Sequence, residues 1–245
     1  YRRVDRATCD RSQEREMTMI EAMDRIDALV RERHLLKHPF YRAWQEGTLT
    51  PAALESYAAQ YYLHVRAFPT YISALHARCE DIETRKALLA NLRDEEEGPE
   101  DHPSLWRRFA EAVGCDTASL DSTAPLPETT AAIESFRRSV GEGPVARGLA
   151  ALCAYESMVP EVAAEKIRGL AEHYGVHGSP GTDYFEVHAT LDVEHAAETR
   201  ALLDARLAAH PDEAAEAELG AAMALDAVNG LLSGICRTEG IARAA

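Results

Sequence analysis

Apolar and polar positions along the chain follow a helical spacing almost throughout. There is no clear run of alternating β-branched residues, and Ala, Leu, Glu and Arg are abundant. The pattern predicts an all-α fold, with helices over Ser12 to Leu35, Pro51 to Cys79, Ile82 to about Glu97, Ser104 to Val113, Glu128 to Val140, Pro144 to His173, Asp183 to Ala209 and Asp212 to Thr238. Their ends are marked. Thr50 is an N-cap followed by Pro51 at the first helical position, and Gly114, Gly175 and Gly240 lie where helices should stop. Several segments exceed the usual length of a globular helix and short connections join them, which predicts a bundle with sites built between facing helices.

No Gly/Ser- or Pro-rich linker divides the 245 residues, and the stretch Asp116 to Pro127 reads as a connection between helices. The expectation is one domain over residues 1–245, with residues 1–11 a flexible amino-terminal extension. Forty-one acidic against 26 basic residues give a net charge of −15, which argues against nucleic acid or an anionic membrane as partner. No run of about 20 apolar residues and no secretory signal is evident, so a cytoplasmic location is expected. The five cysteines, at 9, 79, 115, 153 and 236, include no Cys-x-x-Cys pair. They read as reduced, mostly buried thiols and not as a thiolate metal site.

Three regions carry candidate chemistry. In the first, His188, Asp192 and His195 share one helical face at offsets of four and seven, and a mixed imidazole and carboxylate stripe suits iron or manganese as well as zinc. A solvated polar face is the competing reading, since Glu186 and Glu194 lie beside it. The second is the acidic stretch ending one helix, from which spacing does not choose among Glu95, Glu96 and Glu97. His102 follows, and Gly98 and Pro99 suggest an interruption between them. In the third, Glu156 is a lone charge in an apolar helical stretch, and burial would demand a cation or donors. Together these regions supply three carboxylates and three imidazoles, enough for two metal ions bridged by a carboxylate.

The order Glu95, His102, Glu156, His188, Asp192, His195 resembles the ligand set of the haem-oxygenase-like dimetal oxidases, from about His38 to Leu203. Within that family the chain is most similar to the self-sacrificing para-aminobenzoate synthases, which include the chlamydial death-domain-associating proteins. The resemblance implies a single-domain haem-oxygenase-like helical bundle without haem. It also implies two metal ions (Fe/Fe or Mn/Fe), dioxygen and an external reductant as co-substrates, an unidentified electron donor, and a homodimer. By the same resemblance Tyr41 is the tyrosine consumed, Tyr57, Tyr155 and Tyr184 are further site tyrosines, and Lys166 is the amino donor. A straight helix would hold Tyr155 and Lys166 about 16 Å apart along its axis, so a kink at Pro160 and the long lysine stem must bring them together.

Two other functions compete: an oxidase of the same fold acting on an external amino acid, amine or fatty acid, and a helical interaction module with a vestigial metal site. Tyr61, Tyr62, Tyr71 and Tyr174 are expected to be packing residues. His38 reads as a helix cap, Cys153 as a buried thiol, and His64, His76, His173, His177 and His210 as ordinary histidines. Asp94, Glu96 and Glu97 are placed outside the ligand set, as groups that support it.

Overall fold

The computed structural model describes residues 6–97 and 100–241, and among them every regular element is helical. Ten α-helices follow one another: α1 (Arg6–Glu32), α2 (Pro39–Gln45), α3 (Pro51–Arg78), α4 (Ile82–Glu96), α5 (His102–Ala112), α6 (Pro127–Gly141), α7 (Val145–Glu156), α8 (Val159–His173), α9 (Asp183–Ala209) and α10 (Ala214–Glu239). Helix α10 lies against α7, α6 and α1, while α9 packs on α7 and α8, and α3 packs on α4, α5 and α6. One apolar core runs through all these contacts. By length and composition α10 is apolar enough to cross a membrane, but its Leu225, Val228, Leu231, Leu232 and Ile235 are fully buried in the core. The close approach of α10 to α7 depends on Gly220, where a Cβ would stand 2.0 Å from the carbonyl oxygen of Arg147.

The helix ends follow local chemistry. The Thr50 side chain accepts from the Ala53 N–H ahead of Pro51, and Asp81 does the same for Thr84. The three glycines expected to end helices all adopt positive φ: 92° at Gly114, 69° at Gly175 and 66° at Gly240. The connection from 116 to 127 holds a single short 3₁₀ turn, Leu120–Ser122.

Three expectations are corrected. Helix α1 begins at Arg6, six positions before the expected Ser12, and Tyr1 to Asp5 lie outside the described residues. The chain also forms α2, one turn after the Leu35–Lys37 3₁₀ turn, because the His38 ring accepts from the Phe40 N–H and Pro39 opens the helix. This confirms His38 as a cap. The segment from Pro144 to His173 is two helices, broken at Ser157 and Met158. Pro160 sits in the first turn of α8, where its missing N–H has no intrahelical partner to lose, so it starts a helix where a kink had been expected. As expected, α4 and α5 are separate helices. Gly98 and Pro99, expected to interrupt a shared one, lie between them and outside the described residues.

Candidate active site

Four helices deliver the six expected ligands to one place. Helix α4 ends with Glu95 buried, while Glu96 and Glu97 are exposed. His102 opens α5, capped by Asp101 on the Ser104 N–H. Glu156 closes α7, and His188, Asp192 and His195 line one face of α9. All six are at least nine-tenths buried. A solvated polar face is therefore excluded for the α9 stripe.

Glu95, His102 and His188 each offer a ligand atom, all within 4.8 Å of one another. His102 Nδ1 lies 2.8 Å from Glu95 Oε2 but lacks hydrogen-bond geometry to it. A buried nitrogen aimed at a carboxylate without a bond between them fits a metal ion shared by both. The His188 Nδ1–H donates to the Tyr184 carbonyl at 2.6 Å, which fixes the tautomer and leaves Nε2 as a lone-pair donor. Burial, and then the neighbouring His102, hold the His188 imidazole well below its ordinary pKa, in the neutral form a metal requires.

The other three residues continue the cluster. Asp192 and Glu156 line a small cavity with Glu95 and His188. Glu156 accepts from Asn91 Nδ2 at 2.8 Å and from Thr199 Oγ1 at 3.2 Å. Burial, followed by the nearby Asp192 charge, raises the Glu156 pKa, and burial likewise raises that of Asp192. His195 places Nδ1 3.7 Å from Asp192 and gives its Nε2–H to Asp94 at 2.9 Å. Burial opposes its charged form, but the facing Asp192 and Asp94 carboxylates raise its pKa overall. Two crowded buried carboxylates call for positive charge, and the donor set suits iron or manganese.

Beside this cluster is a second compartment. Tyr155, Tyr184 and His188 line both the metal-side cavity and an adjoining one that also holds Tyr61, Lys166 and Phe185. Each cavity measures about 10 Å³, room for about one water molecule. The Tyr184 ring stacks on His188, centroids 4.0 Å apart. Lys166 is 4 % exposed, and its Nζ lies 4.8 to 5.6 Å from the ring centroids of Phe185, Tyr61, Tyr57, Trp106 and Tyr41. Burial alone lowers its pKa to about 7. Tyr41 and Tyr57, both fully buried, share a hydroxyl contact of 3.4 Å. The break between α7 and α8 brings Tyr155 and Lys166 to one cavity, closing the separation that a straight helix would have imposed.

Of the five residues implied for the chemistry, Tyr155, Tyr184 and Lys166 line the cavity beside the metal cluster, and Tyr41 and Tyr57 lie behind it with their rings against Lys166. Tyr61, expected to be packing, belongs there too: it lines the Lys166 cavity and its hydroxyl meets that of Tyr155 at 3.0 Å. Asn91 and Thr199 were also missed. Helical spacing could have found both, since Asn91 precedes Glu95 by four positions and Thr199 continues the 188, 192, 195 stripe. Asp94 supports His195 as expected, whereas Glu97 pairs with Arg93 and Glu96 lines a surface pocket. Cys153 is a buried thiol pushed up to about 12 by burial, and no cysteine is in a disulfide among the described residues. His64 is buried among aromatic rings with both nitrogens unpartnered, and burial lowers it to about 3.

Fold and site together define a helical oxidoreductase that holds metal with carboxylates and imidazoles. The chain belongs to the family described as iron-containing redox enzymes, whose model matches residues 55–229. It is 44 % identical over 182 residues to the 4-aminobenzoate synthase of Chlamydia muridarum, covering 74 % of this chain and 77 % of that protein. The 4-aminobenzoate synthase of Nitrosomonas europaea is 42 % identical over 219 residues, 86 % of this chain and 89 % of that one. A Shewanella denitrificans domain of unknown function with a heme oxygenase-like fold superposes over 100 % of both chains with TM-score 0.66 at 16 % identity. The fold is therefore that of the haem-oxygenase-like bundles.

Proposed function

We propose that this enzyme makes 4-aminobenzoate from its own Tyr41 side chain with the Lys166 nitrogen. The observation that carries the reading is the Lys166 amine 5.6 Å from the Tyr41 ring centroid, in a closed compartment that abuts the metal cluster. The kinship to 4-aminobenzoate synthases over most of the chain supports it.

The product's skeleton is a benzene ring with one further carbon, which is the tyrosine ring with its Cβ. Forming it requires that the Cα–Cβ bond break, that Cβ be oxidised to a carboxylate, that nitrogen replace the phenolic oxygen, and that the Lys166 Cε–Nζ bond break to release that nitrogen. Cleaving Cα–Cβ and raising Cβ to a carboxylate are oxidations, so dioxygen and an external reductant are the co-substrates. Two metal ions are proposed, held by Glu95, His102 and His188 on one side and by Glu156, Asp192 and His195 on the other, either Fe/Fe or Mn/Fe. Bound there, they supply dioxygen activation. The chain's own part is to keep the amine uncharged and nucleophilic by burial, to hold it over the ring, and to exclude water.

Cavities of about 10 Å³ leave no room for an external amino acid, amine or fatty acid, which disfavours the competing oxidase. A vestigial site in an interaction module would have no reason to retain six buried ligands and their partners. A homodimer is proposed on the exposed apolar Met17, Ile20 and Leu219 of α1 and α10.

The test incubates the protein with ferrous iron, reductant and dioxygen, then weighs the chain and its peptides. Changes of mass confined to Tyr41 and Lys166, at most one product per chain and ¹⁵N transfer from labelled lysine are expected. An intact chain that turns over many equivalents of an added substrate overturns the reading.

A further inference from the structure

Tyr41 and Tyr57 line neither of the cavities that reach the metal cluster, so an oxidising equivalent must cross from that cluster to the consumed ring. Among the described residues, the site tyrosines form two hydroxyl pairs: Tyr155 with Tyr61 at 3.0 Å and Tyr57 with Tyr41 at 3.4 Å. Tyr155 is the metal-side member, since it lines the cavity with Glu95, Glu156, His188 and Asp192. The two pairs meet where the Tyr61 and Tyr57 rings approach, with centroids 5.3 Å apart. Tyr61 is also stacked on Trp106, centroids 5.1 Å apart at 22°. No other tyrosine both bonds to a metal-side phenol and touches the Tyr57 ring among the described contacts.

We infer that Tyr61 is the redox relay that carries the oxidising equivalent from Tyr155 to the Tyr57–Tyr41 pair. The inference rests on the reading proposed above, in which dioxygen and reductant at the metal centre supply the oxidant. Once Tyr155 has lost one electron and its hydroxyl proton, the Tyr61 O–H bond breaks and an O–H bond forms on Tyr155, so that one hydrogen atom moves across the 3.0 Å contact. Tyr57 then gives one electron to the Tyr61 phenoxyl through the ring contact. In balance Tyr57 loses one proton and Tyr61 regains one, and the base proposed to take the first and return the second is the uncharged Lys166 amine, whose Nζ lies 5.2 and 5.1 Å from the two ring centroids. The hole then resides on the pair that contains Tyr41, and Tyr61 is restored.

The position of Tyr61, one turn after Tyr57 on α3, makes it look like core from the sequence, and a packing role is the alternative to beat. Two variants of the full chain separate them. Tyr61→Phe keeps the ring and its stacking but removes the hydroxyl. It is expected to bind the wild-type complement of iron and to lose at least ten-fold in 4-aminobenzoate formed per chain. The second variant places 3-aminotyrosine, an easily oxidised radical trap, at position 61, with the same substitution at Tyr71 as control. Tyr71 is buried and hydroxyl-unpartnered, outside the chain of contacts. Addition of dioxygen should give an aminotyrosyl electron-paramagnetic-resonance signal at position 61 and none at 71. Wild-type product from Tyr61→Phe, or the absence of a radical at position 61 while the wild-type protein makes product, overturns the relay. A wild-type chain that makes no product overturns the underlying reading, and the relay with it.

Discussion

Gly169 of α8 lies directly beneath Trp44 of α2: a Cβ on Gly169 would stand 2.4 Å from the indole Nε1 and 2.6 Å from Cδ1. Trp44 is fully buried, and it also packs on Phe40 and Tyr57. Tyr41 lies on the same short helix as Trp44, and Lys166 precedes Gly169 by three positions. The glycine therefore sets the distance between the helix that carries the consumed ring and the helix that carries the amine.

A single methyl group at this position tests that dependence. Gly169→Ala should push α2 away from α8 and overpack the contact, at about 1–3 kcal/mol of stability. A displacement on the order of 1 Å between reacting groups costs roughly a hundred-fold in rate. Product per chain should collapse while iron per chain stays at the wild-type value, measured by chromatography and metal analysis on the same sample. Wild-type product yield would show that the spacing is not set here.

The contrast between what could and could not be read in advance follows the same helices. Ligands three, four and seven positions apart on α9 were legible because a helix turns at a fixed angle, and Glu156 was legible because a lone charge in an apolar stretch is costly unless compensated. The contact of Trp44 with Gly169 was not, since the two lie 125 positions apart and α2 itself depends on the His38 cap. Tyr61 is buried, as a packing tyrosine should be, but its hydroxyl partner comes from α7, 94 positions away. The break at Ser157 and Met158 also escaped, because proline tolerates the first turn of a helix as readily as it kinks the middle of one.

Asp94 separates the two halves of the metal cluster. It is half exposed, and it takes the Nε2–H of His195, which turns Nδ1 toward Asp192. Glu95, His102 and His188 have no corresponding dependence on it. Asp94→Asn should weaken one site by about 10–100-fold, in line with the loss of other outer partners of metal-bound histidines, and leave the other unchanged. Stepwise anaerobic iron titration should give one binding phase at the wild-type affinity and one shifted phase. Equal shifts in both phases would refute the assignment of His195 to a separate ion.

The crossing of α7 and α10 makes a prediction about stability alone. At Gly220 the obstacle to a Cβ is backbone, the Arg147 carbonyl oxygen at 2.0 Å, so no side-chain rotation relieves it. Gly220→Ala should therefore destabilise by about 3 kcal/mol or more, at the upper end of overpacking costs. By contrast, a Cβ added at Gly230 would meet nothing within 4 Å, and Gly230→Ala should be neutral or slightly stabilising through its better helix propensity. Thermal unfolding of the two variants, at equal metal loading, checks the difference.

Lys166 links chemistry to pH-dependent stability. Burial lowers its pKa to about 7 in the folded protein from 10.5 in the unfolded chain. Between those values the unfolded state binds the extra proton, so the stability contribution of this residue rises with pH. Its burial penalty is fully present below pH 7 and is relieved as pH climbs toward the unfolded value. The groups that face it do not titrate across that window: burial raises Tyr61 to about 12, pushes Tyr41, Tyr57, Tyr155 and Tyr184 well above the ordinary phenol value, and keeps His188 neutral. Lys166→Met, close in volume and uncharged, should thus stabilise the protein by on the order of 4 kcal/mol at pH 6 and about 2 kcal/mol at pH 9. The same variant should form no 4-aminobenzoate, since no nitrogen faces the Tyr41 ring, while the wild-type rate should rise through pH 7 as the amine loses its proton. Denaturant unfolding of both proteins at the two pH values measures the gain. A stabilisation that does not change with pH would mean that the Lys166 amine is hydrated and charged, and that burial does not prepare it for attack.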